Sequence, residues 1–482
     1  MIDFKKIFNF NKKNKTQTKN IFVKNGYAAG TEQPYIISWT RYKESSDEII
    51  DRYYQKLVAR SCEQCQNNPY AVKYLELLNS NVIGPMGMKL QAKARDTNGQ
   101  LDIQANEALE SAWEHWQLST DCDVTGRLNF PQMQRLILQT VAREGNIFIK
   151  IVSTPQKFHL QLIDPRRLDF TNNKKLPNGN FIRFGIEFNK YGKVIAYHIK
   201  NADDTALDMS TKTERIPASE IIHPYRMLYV GQKLGLPWFS SVLEKMYMLS
   251  GYEEAAVANA RAGACQMGFL RNTDPDVDTE SDKDDIHIDA QPAAFTELPP
   301  GYVVDKFDPN YPSNEFDPFV KANLRSVSAG LNVGYNTLGN DLTSVNYSSL
   351  RQGALDERDS WTCLQEWFKT EVMYPVYFPW LKHSLLAGKI QVGRGVLPAE
   401  KLEKYKNVSF RARRWAWVDP LKDVSSATAS VSNGFRSRSD VIREQGRDPE
   451  EVWTEIAKEN EFLIKNGLAV ELMNIKDKKD EE

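Results

Sequence analysis

The sequence predicts an α+β fold that is divided into several domains. With 482 residues, the chain is long enough for about three domains of ordinary size. Apolar residues at helical spacing predict two amphipathic helices between residues 315 and 373, and short alternating runs predict strands between residues 147 and 199. Hydrophobic residues make up 41% of the chain and charged residues 26%, which is typical of a folded soluble protein.

The overall charge and the cysteine content exclude several classes of protein. The formal net charge is −1, so the molecule as a whole does not attract DNA or a membrane electrostatically. No apolar run is long enough to predict a transmembrane helix, and the lysine-rich N-terminus lacks the apolar core of a signal peptide. Five cysteines, an odd number, favour a reducing compartment. Cys62 and Cys65 have zinc-like spacing, but two ordinary helix cysteines fit better because no second pair follows.

The N-terminal half is predicted to begin with a basic arm and to continue as a mixed α+β region. Residues 1–33 carry seven lysines and one acid, Asp3, in their first 24 positions. This composition favours a mobile, solvated arm over one that contacts nucleic acid or a partner. Helices are predicted at 45–66, 69–81, 102–116 and 130–144. Strands are predicted at 147–152, 159–163, 185–188 and 194–199.

A predicted helix over 237–263, rich in alanine and glycine in its second half, is followed by an acidic stretch. Alanine is the best helix former, so propensity alone explains the composition; small residues would also allow close helix packing. Residues 272–289 contain eight acids and one lysine. Alternating aspartates there resemble the start of a calcium loop, but Thr279 stands where glycine must turn, so a solvated acidic loop is favoured. A short strand is predicted at 303–307.

Two amphipathic helices joined by a polar loop form the most distinctive pattern. The first is predicted to begin at Asp317, an N-cap followed by Pro318, and the second is predicted over 349–373, ending at Pro375. Residues 334–349 between them are rich in turn formers, and a loop this long is expected to be held out on a rigid fork. The apolar stripe of the first helix is Phe319, Val320, Leu324, Val327 and Leu331, and its opposite face is Lys321, Arg325, Ser328 and Asn332.

The loop lacks the residues of a nucleotide-binding site. Gly334 and Gly339 have the spacing of a P-loop, but Asn340 and Asp341 stand where lysine and serine or threonine are required. A predicted helix, and not a strand, precedes the loop. Nucleotide binding is therefore not predicted, and no cofactor or metal is expected.

The C-terminal part is predicted to be mostly helical. Residues 411–420 interleave basic and aromatic side chains, as single-strand nucleic-acid binders do, but a strand with two inward-facing tryptophans is favoured because the stretch is short. Helices are expected over 421–471, with starts at Ser439 or Asp440 and at Pro449. A charged tail follows.

Short motifs along residues 45–465 share their order and spacing with a known family. In the first half they are NPYA at 68–71, VIG at 82–84, LIDPRRL at 162–168, GIEF at 185–188, AYH at 196–198, RIPA at 215–218, IIH at 221–223 and GLPW at 235–238. In the second half they are DL at 341–342, NYSS at 346–349, Arg351, RW at 414–415, WVDP at 417–420 and RSRS at 436–439. Together they resemble the lambda-type portal proteins of tailed bacteriophages.

The resemblance implies a portal-type subunit with wing, stem, clip and crown regions. The regions would be a flexible basic arm and first helix at 1–60, a mixed α/β wing at 61–236, stem helix 1 at 237–263, a small clip at 264–314, stem helix 2 at 315–332, a tunnel loop at 333–348, a long helix with its return through the wing at 349–424, and a helical crown with charged tail at 425–482.

The resemblance also implies a function without catalysis. Such proteins form a ring of about twelve subunits at one capsid vertex, with a channel for packaging and ejecting the viral genome. The implied partners are further copies of the chain, double-stranded DNA bound without sequence specificity, the terminase large subunit, head–tail adaptor proteins, and capsid and scaffold proteins, but no membrane. The implied location is the virion of a phage or prophage, after assembly in the cytoplasm of the bacterial host.

Candidate site residues follow from this placement. The tunnel loop would offer the DNA neutral hydrogen-bonding groups from Tyr335, Asn336, Asn340, Thr343, Ser344 and Asn346. The stem would line the channel with Lys321, Arg325 and Ser328; unshielded cations repeated around a ring would grip duplex DNA too strongly, so a mixed or acidic channel is expected. The clip would present Asp282, Asp284 and Asp285 to protein partners. Alternatively, the segment from Asn346 onward only caps the second helix.

Two other functions remain open on the sequence alone. A metal-dependent nuclease would use carboxylates of residues 274–289, but a turn-rich segment does not hold two or three acids at metal distance. A capsid or tail adaptor without a channel would not close into a ring. Metal-dependent DNA cleavage would favour the nuclease, and a ring with a pore would favour the portal protein.

Overall fold

The computed structural model describes residues 43–201, 212–264, 268–272, 302–306, 315–343, 345–415, 420–445, 447 and 449–466. The chain divides into two units, Met1–Ser45 and Ser46–Glu482, and nearly all described residues belong to the second. Within the described ranges this unit combines helices with small antiparallel sheets, so the predicted mixture of α and β structure is confirmed. None of the described helices is both long and apolar enough to cross a bilayer.

Four helices lie in the first hundred residues of this unit, and each was predicted to within three residues at either end. Their starts follow local capping chemistry: Asn68 Oδ1 accepts the N–H groups of Tyr70 and Ala71, and Asn129 forms a capping box with Gln132. The second helix continues into a π-helical turn at Asn79–Ile83. The helices are α1 (Ser46–Asn67), α2 (Pro69–Leu78), α3 (Ile103–Leu118) and α4 (Phe130–Glu144).

Eight strands of the N-terminal half form two separate antiparallel sheets, and the first strand of the chain pairs instead with a strand of the C-terminal half. The strands are β1 (Lys89–Ala92), β2 (Phe148–Ser153), β3 (Phe158–Ile163), β4 (Lys174–Lys175), β5 (Phe181–Arg183), β6 (Ile186–Phe188), β7 (Val194–Lys200), β8 (Thr213–Pro217) and β9 (Ile221–Ile222). β2 lies between β3 and β9, and β4 to β8 form a five-stranded sheet in chain order. The four predicted strands are therefore confirmed.

The next helix begins later than predicted. α5 (Leu243–Ala264) follows a turn in which Ser240 and Val242 donate backbone hydrogen bonds to Pro237 and Phe239, so residues 237–242 are not regular helix. β10 (Gly268–Asn272) then pairs antiparallel with β11 (Tyr302–Lys306), which confirms the strand predicted at 303–307. The acidic stretch between these two strands lies outside the described residues.

The predicted helix pair is present, with two corrections to its ends. Helix α6 (Phe316–Leu331) begins one residue before Asp317, so Asp317 lies in its first turn and is not the N-cap. Its carboxylate instead pairs with Lys321, one turn along, at 2.9 Å. A short helix α7 (Tyr335–Gly339) follows, and then α8 (Tyr347–Phe368) and α9 (Tyr374–Leu386).

Pro375 does not end the long helix, as the sequence had predicted. The backbone passes from α8 through a π-helical segment, Lys369–Met373, directly into α9. In that segment Tyr374 N–H donates to Lys369 O, five residues back, so the wider turn accommodates the missing N–H of Pro375. The result is one nearly continuous helical rod of 40 residues from Tyr347 to Leu386.

The chain then returns to the N-terminal region and ends in three helices. A hairpin of β12 (Gln391–Val392) and β13 (Gly395–Val396) leads to α10 (Leu402–Tyr405) and to β14 (Val408–Arg411), which pairs antiparallel with β1. Trp415 packs half-buried after this strand and Trp417 lies outside the described residues. The last helices among the described residues are α11 (Pro420–Ser432), α12 (Arg438–Glu444) and α13 (Pro449–Lys465).

The start of α12 was predicted one to two residues too late. The side chain of Ser437, and not of Ser439 or Asp440, caps the helix, and Asp440 completes a capping box by accepting the Ser437 N–H. The start at Pro449 is confirmed for α13.

Two hydrophobic cores hold the described part of the second unit together. The larger joins α2, α3, α4, α6, α8 and α9 around Trp113, whose ring lies 4.9 Å from that of Trp380 and 5.5 Å from that of Tyr377. The smaller lies between α1 and the five-stranded sheet. The long rod is therefore anchored at its α9 end, where Val376, Tyr377 and Leu381 are fully buried.

Candidate functional site

The fork formed by α6 and α8 is the candidate site, and α6 is pressed closely onto the body of the protein. Leu324, Val327 and Leu331 are buried, as their helical spacing predicts. A Cβ atom on Gly330 would lie only 2.3 Å from Cγ1 of Val242, so glycine allows this close approach. The N-terminal part of α6 also touches α5, where Tyr252 stacks on Phe316 at 5.6 Å.

Ser328 was predicted to lie on the polar face of the stem, and this prediction is wrong. Its side chain is 2% exposed, and its hydroxyl donates to Leu324 O at 2.8 Å within the same helix. A serine can satisfy its hydroxyl against the preceding turn and then pack among apolar residues. Ser328 therefore faces the core and cannot line a channel.

The predicted loop between the two helices is partly folded. Residues 335–339 form the short helix α7, in which Leu338 is only 2% exposed and belongs to the larger core. Its C-terminal Gly339 would place a Cβ 3.0 Å from Leu324 of α6. The sequence predicts an irregular loop here because of Gly334, Gly339 and Asn340. In the structure these residues flank a single turn of helix, which is fixed by tertiary packing, and Asn340 has the left-handed conformation with φ 51°.

Tyr335 and Asn336 consequently do not project freely from the fork. Both are half-buried, and Tyr335 packs against the larger core while its hydroxyl donates to Asp341 Oδ2 at 2.7 Å. The guanidinium of Arg325 lies 5.3 Å from the centre of the Tyr335 ring. These contacts attach α7 to α6, so the prediction that the whole of 334–348 extends outward is wrong for its first six residues.

Asp341 organises a small polar cluster at the point where the chain leaves α7. Its carboxylate accepts the hydroxyl of Thr343 at 2.5 Å, the backbone N–H of Thr343 at 3.0 Å and the Tyr335 hydroxyl, and Lys321 lies 3.4 Å away. The Thr343 hydroxyl, the Thr343 N–H and the Tyr335 hydroxyl, in that order, hold the pKa of Asp341 well below its usual range. Asp341 is therefore ionised at any physiological pH.

Lys321 is shielded by two carboxylates. Its ammonium lies 2.9 Å from Asp317 and 3.4 Å from Asp341, and these partners, Asp317 first, raise the pKa of Lys321. The expected channel should not grip DNA tightly, so the cations of this helix were expected to be shielded. The geometry meets that condition at Lys321, while Arg325 lies over an aromatic ring.

A second acid, Glu357, ties α7 to α8. Its Oε2 accepts the Thr337 hydroxyl at 2.8 Å, and its Oε1 is buried without a hydrogen-bond partner. Burial raises the pKa of Glu357. Sequence reasoning missed this residue, although a signal existed: Glu357 lies on the apolar stripe of α8, between Ala354 and Trp361.

The segment 340–346 between α7 and α8 is called the apex here. Asn340, Leu342, Thr343 and Asn346 are exposed, with Leu342 the most apolar of them at 62% exposure. Asn346 Oδ1 accepts the Ser349 N–H at 2.8 Å, so the capping role considered for Asn346 is confirmed. Ser344 lies outside the described residues.

The other predicted site residues are those of the clip and of a metal site. Asp282, Asp284 and Asp285 lie outside the described residues. Within the described ranges, no group of three or more His, Cys, Asp or Glu side chains is arranged to hold a metal ion. Cys62 and Cys65 lie on α1, and burial raises the pKa of both thiols, that of Cys65 to about 12.

Comparison with known sequences gives a match over most of the chain. The sequence model described as "Phage portal protein, lambda family" matches residues 34–365, which include α6, α7 and all but the last three residues of α8. A probable portal protein of Halomonas phage phiHAP-1 is 31% identical, over 88% of this chain and 83% of that protein. Portal protein B of Escherichia phage lambda is 22% identical, over 88% of this chain and 86% of its own length.

Among solved structures, the chain is similar to one from the neck of an empty gene transfer agent particle. The TM-score is 0.46 and the sequence identity 12%, over 82% of this chain and 94% of the other.

Proposed function

The chain belongs to the lambda family of phage portal proteins, and we propose that it assembles into a closed ring of about twelve copies around a DNA channel at one capsid vertex. Proteins of this family are structural and not catalytic. The proposed ring is a virion component through which double-stranded DNA is packaged and ejected. It docks the terminase large subunit during packaging and head–tail adaptors afterwards, and it contacts capsid and scaffold proteins.

The proposed regions follow the observed elements with adjusted bounds. α1 to β9 belong to the wing, α5 and α6 to the stem, β10 and β11 to the base of the clip, the apex to the tunnel loop, and α11 to α13 to the crown. Residues 340–346, rather than 333–348, are the part of the tunnel loop that reaches toward DNA, because α7 is packed onto α2 and α6.

The chemistry of the apex is the single observation that best supports passage of DNA. Its exposed side chains are Asn340, Leu342, Thr343 and Asn346. The Thr343 hydroxyl donates to Asp341, so the groups that can donate to DNA are the amides of Asn340 and Asn346. Its one acid, Asp341, is engaged with Lys321 and Thr343. Amides and hydroxyls hydrogen-bond phosphate and sugar oxygens without the ionic contribution that dominates tight binding to DNA. Such a surface touches a moving duplex without holding it.

A ring with a pore is the first outcome to test. The purified full-length protein is expected to form one discrete species about twelve times the mass of the subunit in mass photometry, with a central hole in negative-stain images. Closed rings require a head-to-tail interface between identical subunits. If only monomers and dimers are found across salt and protein concentration, the proposed function is wrong. DNA cleavage by the protein with Mg²⁺ or Mn²⁺ would support the nuclease instead.

The acidic residues Asp282, Asp284 and Asp285 remain the proposed partner surface of the clip. Replacing all three with asparagine is expected to leave the ring intact and to weaken docking of terminase or of an adaptor, because the variant removes three charges without changing side-chain size. Docking that is unchanged in a variant that still forms rings would contradict this role.

A further inference from the structure

The C-terminal helical segment, α11 to α13, has no apolar core of its own. Among the residues whose burial is described between 421 and 466, Pro449 alone is buried, and neither hydrophobic core extends beyond Trp415. The three helices have 13, 7 and 17 residues, and isolated helices of such lengths are marginal in water. The large apolar residues that remain exposed on this segment are Leu421, Val424, Phe435, Trp453, Ile456, Phe462 and Ile464.

The segment is fixed to the rest of the protein near its beginning. Asp423 on α11 accepts a hydrogen bond from Arg351 on α8 at 2.7 Å, and both side chains are about one-quarter exposed. The first turn of α11 is therefore held beside α8, close to the apex. The apolar side chains from Phe435 onward lie beyond this attachment and need another surface to cover them.

Charges of opposite sign are separated along the segment. The stretch 436–447, called the basic stretch here, has four arginines and two acids, whereas α13 has five glutamates and two lysines. One pair, between Arg447 and Glu455, joins the two within a subunit. Arg438, Glu459 and Glu461 form no ion pair within the described residues and remain available to a partner. The basic stretch has Arg436, Arg438, Arg443 and Arg447, and α13 has Glu450, Glu451, Glu455, Glu459 and Glu461.

The separation of charge along this segment indicates which kind of partner fits it. Duplex DNA would be repelled by the glutamates of α13 and would not cover apolar side chains. The opposite charges fit a contact in which the basic stretch of one copy meets α13 of another. A two-fold contact of this kind stops at two copies, whereas the proposed ring requires the head-to-tail form, in which each copy meets the next. Identical neighbours also supply identical exposed apolar residues, which can form a shared core between helices that lack one.

We propose that the basic stretch of each subunit docks against α13 of its neighbour, so that α11 to α13 form a continuous belt with an apolar interior shared between adjacent copies. This inference rests on the proposed ring. It goes further in assigning the C-terminal segment to the contact between subunits and in fixing the direction of that contact.

Hydrogen exchange of the full-length protein tests the belt. Amides of α13 are expected to exchange at least about tenfold more slowly in the assembled ring than in dissociated subunits, because packing suppresses local opening. The variant F462S/I464S is expected to lose this protection and to dissociate at about tenfold or more higher subunit concentration, since two apolar side chains leave the interface. Both residues are exposed in the subunit, at 62% and 71%, so its own stability should not change. Tyr191→Ser, at an 81% exposed residue in the turn between β6 and β7, is the matched control.

Charge reversal tests the direction of the contact. R438E/R443E and E459K/E461K are each expected to weaken the ring, and the four changes together are expected to restore it, because opposite charges again meet across the interface. Rings that form normally while α13 exchanges as fast as in the free subunit would overturn the inference and leave the proposed function intact. Protection of α13 that appears only after another capsid component is added would overturn it in favour of a different occupant. If the wild-type chain forms no ring, the proposed function itself fails.

Discussion

The ammonium of Lys321 on α6 lies 3.4 Å from the carboxylate of Asp341 at the start of the apex. This contact joins α6 to the segment that is proposed to meet DNA, and it neutralises a cation that the proposed ring would otherwise repeat in every subunit. The same carboxylate holds Thr343 and Tyr335. One acid therefore sets both the shape and the charge of the apex.

Removing that acid should make the apex hold DNA more tightly. In Asp341→Asn, Lys321 keeps only Asp317 as a partner, so more of its charge reaches the channel. We expect ring-bound DNA to be retained more strongly at low salt, with a log–log salt dependence that is steeper by up to about 0.9 for each lysine that gains a phosphate. Filter binding or fluorescence anisotropy across a salt series measures this slope. Asp356→Asn, on the exposed face of α8, makes the same charge change outside the cluster; equal effects of the two variants would refute the specific role of Asp341.

Leu338 and Leu342 should respond oppositely to truncation although they lie four residues apart. Leu338 is 2% exposed and Leu342 62% exposed. Leu338→Ala is expected to lower the free energy of unfolding by about 2–4 kcal/mol because it leaves a cavity in the core. Leu342→Ala is expected to change it by less than about 0.5 kcal/mol. Denaturant unfolding of the two variants makes the comparison, and similar losses would show that α7 is not packed as described.

Gly330 and Gly353 provide a second matched pair. A Cβ on Gly330 would lie 2.3 Å from Val242 Cγ1, whereas nothing lies within 4 Å of one on Gly353. Gly330→Ala should therefore destabilise the protein by about 1–3 kcal/mol through overpacking. Gly353→Ala should stabilise α8 by up to about 1 kcal/mol, since alanine is the better helix former. Adding Val242→Ala to the first variant should recover part of its loss in thermal melts; no recovery would place the clash elsewhere.

Stability should fall as the pH is lowered through the range in which His223 titrates. His223 is enclosed by Phe148, Tyr197 and Tyr225 and hydrogen-bonded to Asn146, and burial lowers its pKa from 6.5 to about 3. Below pH 6.5 the imidazole of His223 binds a proton in the unfolded chain but stays neutral in the folded chain. The free energy of unfolding therefore decreases toward low pH.

The size of this effect can be isolated by comparison with His223→Phe. The wild type is expected to lose about 1.5–2 kcal/mol more than the variant between pH 7 and pH 5, even though the variant is less stable at pH 7. Urea unfolding at the two pH values measures the difference. Parallel pH profiles would mean that the imidazole is not buried as a neutral group.

Local signals in the sequence predicted most elements of the N-terminal half, and long-range packing explains the elements that were missed. Asn129 and Gln132 specify the start of α4 through bonds within one turn, so the sequence alone is sufficient there. The helix at 335–339 has no such signal, because it depends on Leu338 reaching a core built from α2 and α6. The sequence predicts that Pro375 ends the helix. The π-helical turn that accommodates this proline depends on the surrounding packing, so no local signal reveals it.

The candidate site was predicted in outline but not in its internal contacts. Neutral groups at Asn340, Thr343 and Asn346 could be read directly from the sequence, and these residues are exposed. The burial of Ser328 was missed because Ser328 lies at the edge of the stripe formed by Leu324, Val327 and Leu331, where a serine fits either the polar or the buried side. The pairing of Lys321 with Asp341 joins residues twenty positions apart and required the fold of α7.

The unbroken passage from α8 to α9 also has a mechanical meaning. At about 1.5 Å per residue, the 40 residues from Tyr347 to Leu386 make a lever roughly 60 Å long, with the apex at one end and the buried aromatic residues around Trp380 at the other. Two points along it are irregular, the widened turn at Lys369–Met373 and Pro379 inside α9, and a helix bends most readily at such points. In the proposed ring, a sideways push of DNA on the apex would be carried along this helix to those two points, which lie beside the buried core.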